Sequence, residues 1–106
     1  MQNYCRIKTK ESWQMINLTR FFALIEDDPY IGPVHISLYM SLINYWIQNE
    51  YVNPFVTDRV GLMKVSKINA RATYQKCIHD LHKAGSIEYI PSYNRSGKSM
   101  VYLLSL

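Results

Sequence analysis

The chain has 106 residues, enough for one domain with one hydrophobic core that folds without disulfide or metal. Hydrophobic residues make up 48% of it, aromatic residues 13% and charged residues 19%, which is the composition of a packed globular domain and excludes a disordered tail. The net charge of +4 is unevenly spread: residues 1–56 hold four basic against five acidic side chains, whereas residues 57–106 hold eight against three, a balance of +5. Basic character gathered into one half is the pattern of a nucleic-acid footprint.

No apolar run approaches the roughly 18 residues of a membrane span, and no basic segment followed by an apolar core opens the chain, so the expected location is the bacterial cytoplasm, on the nucleoid. Cys5 and Cys77 stand far apart and outside any Cys-x-x-Cys pair, which suggests neither a zinc site nor a redox motif. Cys77 belongs to an apolar helical pattern, where a thiol acts as a small hydrophobe.

Residues 1–11 are polar and aperiodic and read as a terminus without regular structure. Ser12 is the expected cap of a helix reaching Glu26, because Trp13, Ile16, Phe22 and Ile25 recur at helical spacing. Asp27-Asp28-Pro29 and Gly32-Pro33 break it. A second helix, Val34 to Gln48, is apolar around most of its circumference and belongs in the core. Phe55-Val56 is a minimal strand, after which Thr57 is expected to cap a short helix, Asp58 to Val65, with Val60, Met63 and Leu62 inward. Gly61 should weaken that helix by about 1 kcal/mol relative to alanine. A tight turn follows, then a helix from Ala70 to Ala84 with Asn69 as its cap and Gly85 as its left-handed end. Ser86 to Ile90 and Ser99 to Leu104 form a hairpin around a loop at residues 91–98.

This order is mainly α with a small β-hairpin (α+β), that of a winged helix-turn-helix preceded by an extra N-terminal helix. The predicted division is an N-terminal extension and amphipathic helix over residues 1–33 and a winged-helix domain over residues 34–106.

The run Ala72-Thr73-Tyr74-Gln75-Lys76-Cys77-Ile78-His79-Asp80-Leu81, with Gly85, Ile87-Glu88-Tyr89, Pro91-Ser92-Tyr93-Asn94 and Gly97-Lys98-Ser99, resembles small winged-helix proteins of Bacteroidetes. These are often encoded near mobile elements and described as transcriptional regulators or excisionase-like factors. The likeness reaches upstream through His35-Ile36-Ser37-Leu38-Tyr39, Trp46 and Asn53-Pro54-Phe55, roughly three quarters of the chain. Gly61 and Ser86 depart from it. The resemblance implies a DNA-binding module and supplies neither an operator nor a catalytic site.

On a helical wheel, Tyr74, Cys77, Ile78 and Leu81 share one face, and Asn69, Ala72, Gln75, Lys76, His79 and Lys83 lie opposite. Gln pairs bidentately with adenine, Lys donates to guanine and Ala72 suits a thymine methyl, so Asn69, Ala72, Gln75, Lys76 and His79 are the expected base-reading residues. Lys67, Arg71, Thr73 and Lys83 flank them as phosphate contacts, joined by Asn94, Arg95, Ser96 and Lys98 of the wing. Trp13, Phe21, Phe22 and Ile25 exceed what a three-helix core needs and either form a candidate homodimer interface or pack across their own domain. His79 and His82 lack the further donors a metal site requires. No nucleophile triad, buried carboxylate pair or glycine-rich phosphate loop is evident, so neither an enzyme nor a cofactor is expected. The predicted partner is duplex DNA and the predicted role a sequence-specific regulator or excision accessory factor, with a replication-initiation module or a protein-docking winged helix as alternatives.

Overall fold

The computed structural model describes residues 10–91 and 98–104, with side chains from residue 17 onward. The N-terminal segment, residues 1–9, and the hairpin tip, residues 92–97, lie outside it. The first helix, α1 (Lys10–Ile25), begins earlier than foreseen, so that Ser12 sits within it instead of capping it. It ends where Asp28 turns the chain: the Asp28 amide donates to the Ile25 carbonyl at 2.9 Å, and the Asp28 carboxylate accepts from the Tyr30 amide at 2.9 Å.

Pro33 opens α2 (Pro33–Gln48), a position where its missing N–H costs nothing. Gly32 precedes it without a side chain to cap the helix, and His35 reaches back to accept from the Gly32 amide at 2.9 Å. As its composition requires, α2 is the central element: Leu38, Tyr39, Leu42, Ile43 and Trp46 are all buried. Phe21 of α1 stacks flat on Tyr39 with ring centroids 3.8 Å apart, and Ile25 joins the same core. Of the two roles expected for this face, Phe21 and Ile25 take the one within their own domain and are buried in it, whereas Phe22 is exposed. Trp13 belongs to α1, but its side chain is outside the described set.

The strand β1 (Phe55–Thr57) is followed by α3 (Arg59–Ser66). Asp58, not Thr57, caps α3, its carboxylate accepting from the Gly61 amide at 2.7 Å. Thr57 is buried in the sheet instead, its hydroxyl donating to the Ser99 carbonyl at 3.2 Å. Leu62 is buried and Met63 packs part-buried on the core, both as foreseen, whereas Val60 is exposed, against the expectation.

Lys67 takes a left-handed conformation (φ 65°) to end α3, and residues 67–70 lead into α4 (Arg71–Lys83). Ile68 is buried, which pins this turn to the core and fixes where α4 starts. Ala70 becomes the N-cap, its carbonyl accepting from the Tyr74 amide at 3.0 Å, and Asn69 stays one residue outside. At the far end, Gly85 adopts φ 85°, the Ser86 amide donates to the Leu81 carbonyl and the Gly85 amide to the His82 carbonyl, each at 3.1 Å. This is the paired bonding of a Schellman cap, as the glycine foretold.

Strands β2 (Ile87–Ile90) and β3 (Ser99–Leu103) complete an antiparallel sheet of order β1-β3-β2. The register sets Phe55 and Tyr89 on either side of Val101. Asn53 extends the sheet beyond β1 by accepting from the Leu103 amide at 3.0 Å and donating to the Leu103 carbonyl at 3.1 Å. The architecture of four helices on a small antiparallel sheet is the α+β class read from the sequence. No described helix is long and apolar enough to cross a membrane.

Candidate nucleic-acid interface

The wheel expected for α4 is realised on its inner side: Tyr74, Cys77, Ile78 and Leu81 are buried in the core. Burial pushes the Cys77 thiol above its ordinary pKa, as befits an unreactive core sulfur. The other side faces outward. Arg71, Ala72, Thr73, Lys76, His79 and Lys83 are exposed, Gln75 is half-buried, and Lys67 and Asn69 stand exposed in the preceding turn. Lys98 is exposed at the foot of β3. The remaining expected wing residues, Asn94, Arg95 and Ser96, lie outside the described residues.

Lys76 is not a solitary cation. Its ammonium sits 2.9 Å from the Asp80 carboxylate one turn along α4, and Asp80 in turn accepts from His35 of α2 at 2.7 Å. Because the His35 Nδ1 accepts the Gly32 amide, its Nε2 carries the proton donated to Asp80. The two donors, His35 first and Lys76 second, hold the Asp80 carboxyl below the usual carboxylate range. This chain ties the start of α2 to the exposed face of α4 and fixes where the Lys76 charge is presented. On the same helix, His82 accepts from the Tyr89 amide at 3.1 Å, so it serves the sheet and not its neighbour His79.

A second cluster gathers where α3, α4 and the sheet meet. A cavity of about 190 Å³ is lined there by Thr57, Arg59, Arg71, Tyr74, Gln75, Tyr89 and Ser99. Tyr89 and Ser99 join their hydroxyls at 3.0 Å across β2 and β3. Burial, then the neighbouring Tyr89, pushes the Tyr74 phenol up, while Arg59 acts in the opposite sense. Among the described residues neither Arg59 nor Arg71 has a carboxylate within salt-bridge reach. Of this group only Arg71 and Gln75 were expected as nucleic-acid contacts. Tyr89 and Ser99 stood only within the runs that carry the resemblance, with no contact role, and the sole sign of Arg59 was its place in the basic half.

A larger, shallow depression of about 430 Å³ lies on another side, between the start of α2 (Pro33, Val34, Ser37) and the turn Lys67–Ala70. Ser37 holds the turn against α2 by donating to the Ser66 carbonyl at 2.6 Å. The turn ahead of α4 is thereby tied to α2. Compared with known proteins, the chain matches no family model, no curated protein and no solved structure.

Proposed function

We propose that the chain is a winged-helix protein that binds duplex DNA, with α4 as the recognition helix and the β2–β3 hairpin as the wing. The observation that carries this reading is the outer face of α4: a helix apolar inward that exposes Ala72, Lys76 and His79, with Gln75 half-exposed, between Arg71 and Lys83. Those side chains suit base edges in the major groove, and the flanking cations suit phosphates. A short helix and turn before α4 and an antiparallel hairpin after it give support in the same direction, as does the +5 balance of residues 57–106. Asn69 and Ala72 stand at the N-terminal end, the part of such a helix that reaches the bases, with Gln75 and Lys76 one turn further.

The role that best suits this surface and the resemblance read from the sequence is a sequence-specific regulator or excision accessory factor of a mobile element. The test is duplex binding followed from about 50 to about 200 mM salt, where several neutralised phosphates make affinity fall steeply. Steep loss of affinity supports the reading. Absence of binding to any duplex, including fragments of the gene's own surroundings, overturns it in favour of protein docking.

A further inference from the structure

We propose that the cavity between α3, α4 and the sheet is a phosphate-binding site, in which Arg59 and Arg71 hold the charge of a phosphoryl group and the hydroxyls of Tyr89 and Ser99 orient it. Size is the first argument. At about 190 Å³ the cavity is smaller than the ~300–1,000 Å³ typical of organic-ligand sites and suits one compact group.

The balance of donors and acceptors points the same way. No carboxylate lines the cavity. Asp58, between Thr57 and Arg59 in the chain, is occupied elsewhere, with one oxygen on the Tyr45 hydroxyl and the other on the Gly61 amide. Each guanidinium brings five N–H donors, of which the Arg59 side chain uses one on the Met63 sulfur at 3.6 Å. The Thr57 hydroxyl proton is consumed by the Ser99 carbonyl. Tyr89 and Ser99, however, share one hydrogen bond between two hydroxyls, so whichever donates, the other keeps a proton for a ligand. A cavity rich in donors, carrying two positive charges and no negative one, selects an anion with several acceptor oxygens, and planar guanidinium forks match phosphate in particular.

Arg71 is the first residue of α4, and Gln75 lies one turn further on, so a phosphate held here would lie against the start of the helix assigned to base reading. Two sources offer the same phosphoryl oxygens: the backbone of a bound duplex, which rests on the reading above, and a free phosphate or phosphorylated small molecule, which does not.

The experiment uses the full chain and two probes. In the first arm, duplex affinity is measured against salt for wild type and Arg59→Gln; a backbone phosphate in the cavity lowers the log–log slope by about one and weakens all sequences alike. In the second arm, inorganic phosphate is titrated at constant ionic strength while amide resonances are followed. Residues 57–61, 71–75, 89 and 99 shift in wild type, and the shifts are lost in Arg59→Gln and reduced in Tyr89→Phe, which removes one hydroxyl without touching a charge. A reduced slope assigns the site to DNA, and phosphate-induced shifts with an unchanged slope assign it to a free phosphoryl ligand. An unchanged slope together with no shift overturns the site. If wild type binds no duplex at all, the DNA reading falls alone and the phosphate titration decides the cavity by itself.

Discussion

Tyr45 of α2 donates its hydroxyl to the Asp58 carboxylate at 3.1 Å, and the pair closes directly over Gly61. A Cβ placed on Gly61 would collide with the Tyr45 hydroxyl and crowd both Asp58 oxygens, at 2.7 and 3.0 Å. The glycine that weakens α3 by propensity is thus what lets α2 approach its first turn.

A substitution that stabilises most helices should therefore harm this one. Gly61→Ala gains up to about 1 kcal/mol of propensity, but the overpacking it forces costs about 1–3 kcal/mol. The expected net result in denaturant unfolding is a loss. In a Tyr45→Phe background, where the obstructing oxygen is gone, the same change should cost less, a coupling that a double-mutant cycle reads directly. Equal effects in both backgrounds would place the obstruction elsewhere.

Much of this architecture was legible in local pattern. Apolar spacing gave α2 and the buried face of α4, and Gly85 marked the end of α4 because its left-handed φ favours glycine. Three caps fell elsewhere than foreseen: Ser12 lies inside α1, Asp58 takes the place of Thr57, and Ala70 that of Asn69. Thr57 and Asp58 are both good caps, as is Asn69; the choice was made by burial of Thr57 in the sheet and of Ile68 in the turn. The Lys76–Asp80 pair lies at a spacing that sequence alone reveals, whereas His35 is 45 residues from Asp80 and meets it only through the packing of α2 on α4. The Arg59 cavity was hidden for the same reason, since strand register brings Thr57, Tyr89 and Ser99 together.

Acid should loosen the α2–α4 tie. The Asp80 carboxyl is held below its ordinary 3.8 by the His35 and Lys76 donors. A carboxyl depressed in the folded state contributes stability that is present above its unfolded pKa and is lost as pH falls through the folded value. The stability gap between wild type and Asp80→Asn should accordingly be widest near neutrality and close as pH drops below about 4. Unfolding midpoints collected across that range check it, and a gap independent of pH would mean that the carboxylate charge contributes nothing.

Phe21 and Phe22 are adjacent on α1 with opposite surroundings. Phe21 is 1% exposed and stacked on Tyr39, whereas Phe22 is 44% exposed. Phe21→Ala should lower stability by about 3–5 kcal/mol. Phe22→Ala should change it by less than about 1 kcal/mol. Measuring molecular mass beside stability separates core from interface: a fall in mass on Phe22→Ala at unchanged stability would show that α1 joins two copies through its outer face.

Base reading by α4 has its own signature. Gln75→Ala should leave folding intact, cost about 1–3 kcal/mol at the preferred site and relax discrimination at one base pair. Lys83→Ala, at the end of the helix, should weaken binding to every sequence alike. A competition assay with the preferred duplex and single-base variants distinguishes the two, and unchanged preference in Gln75→Ala would remove that residue from the reading surface.

The hydrogen bond from the Tyr89 amide to His82 has a consequence for how this chain behaves in a crowded solution. As the outer strand of the sheet, β2 turns one edge away from β3, and an open edge of backbone donors is a template on which strands of other molecules add and aggregate. The imidazole of α4 already occupies the Tyr89 donor on that edge, so an incoming strand would have to displace a side chain before it could pair. With β2 only four residues long, the helix that presents the outward cations also acts as a gatekeeper for the sheet behind it.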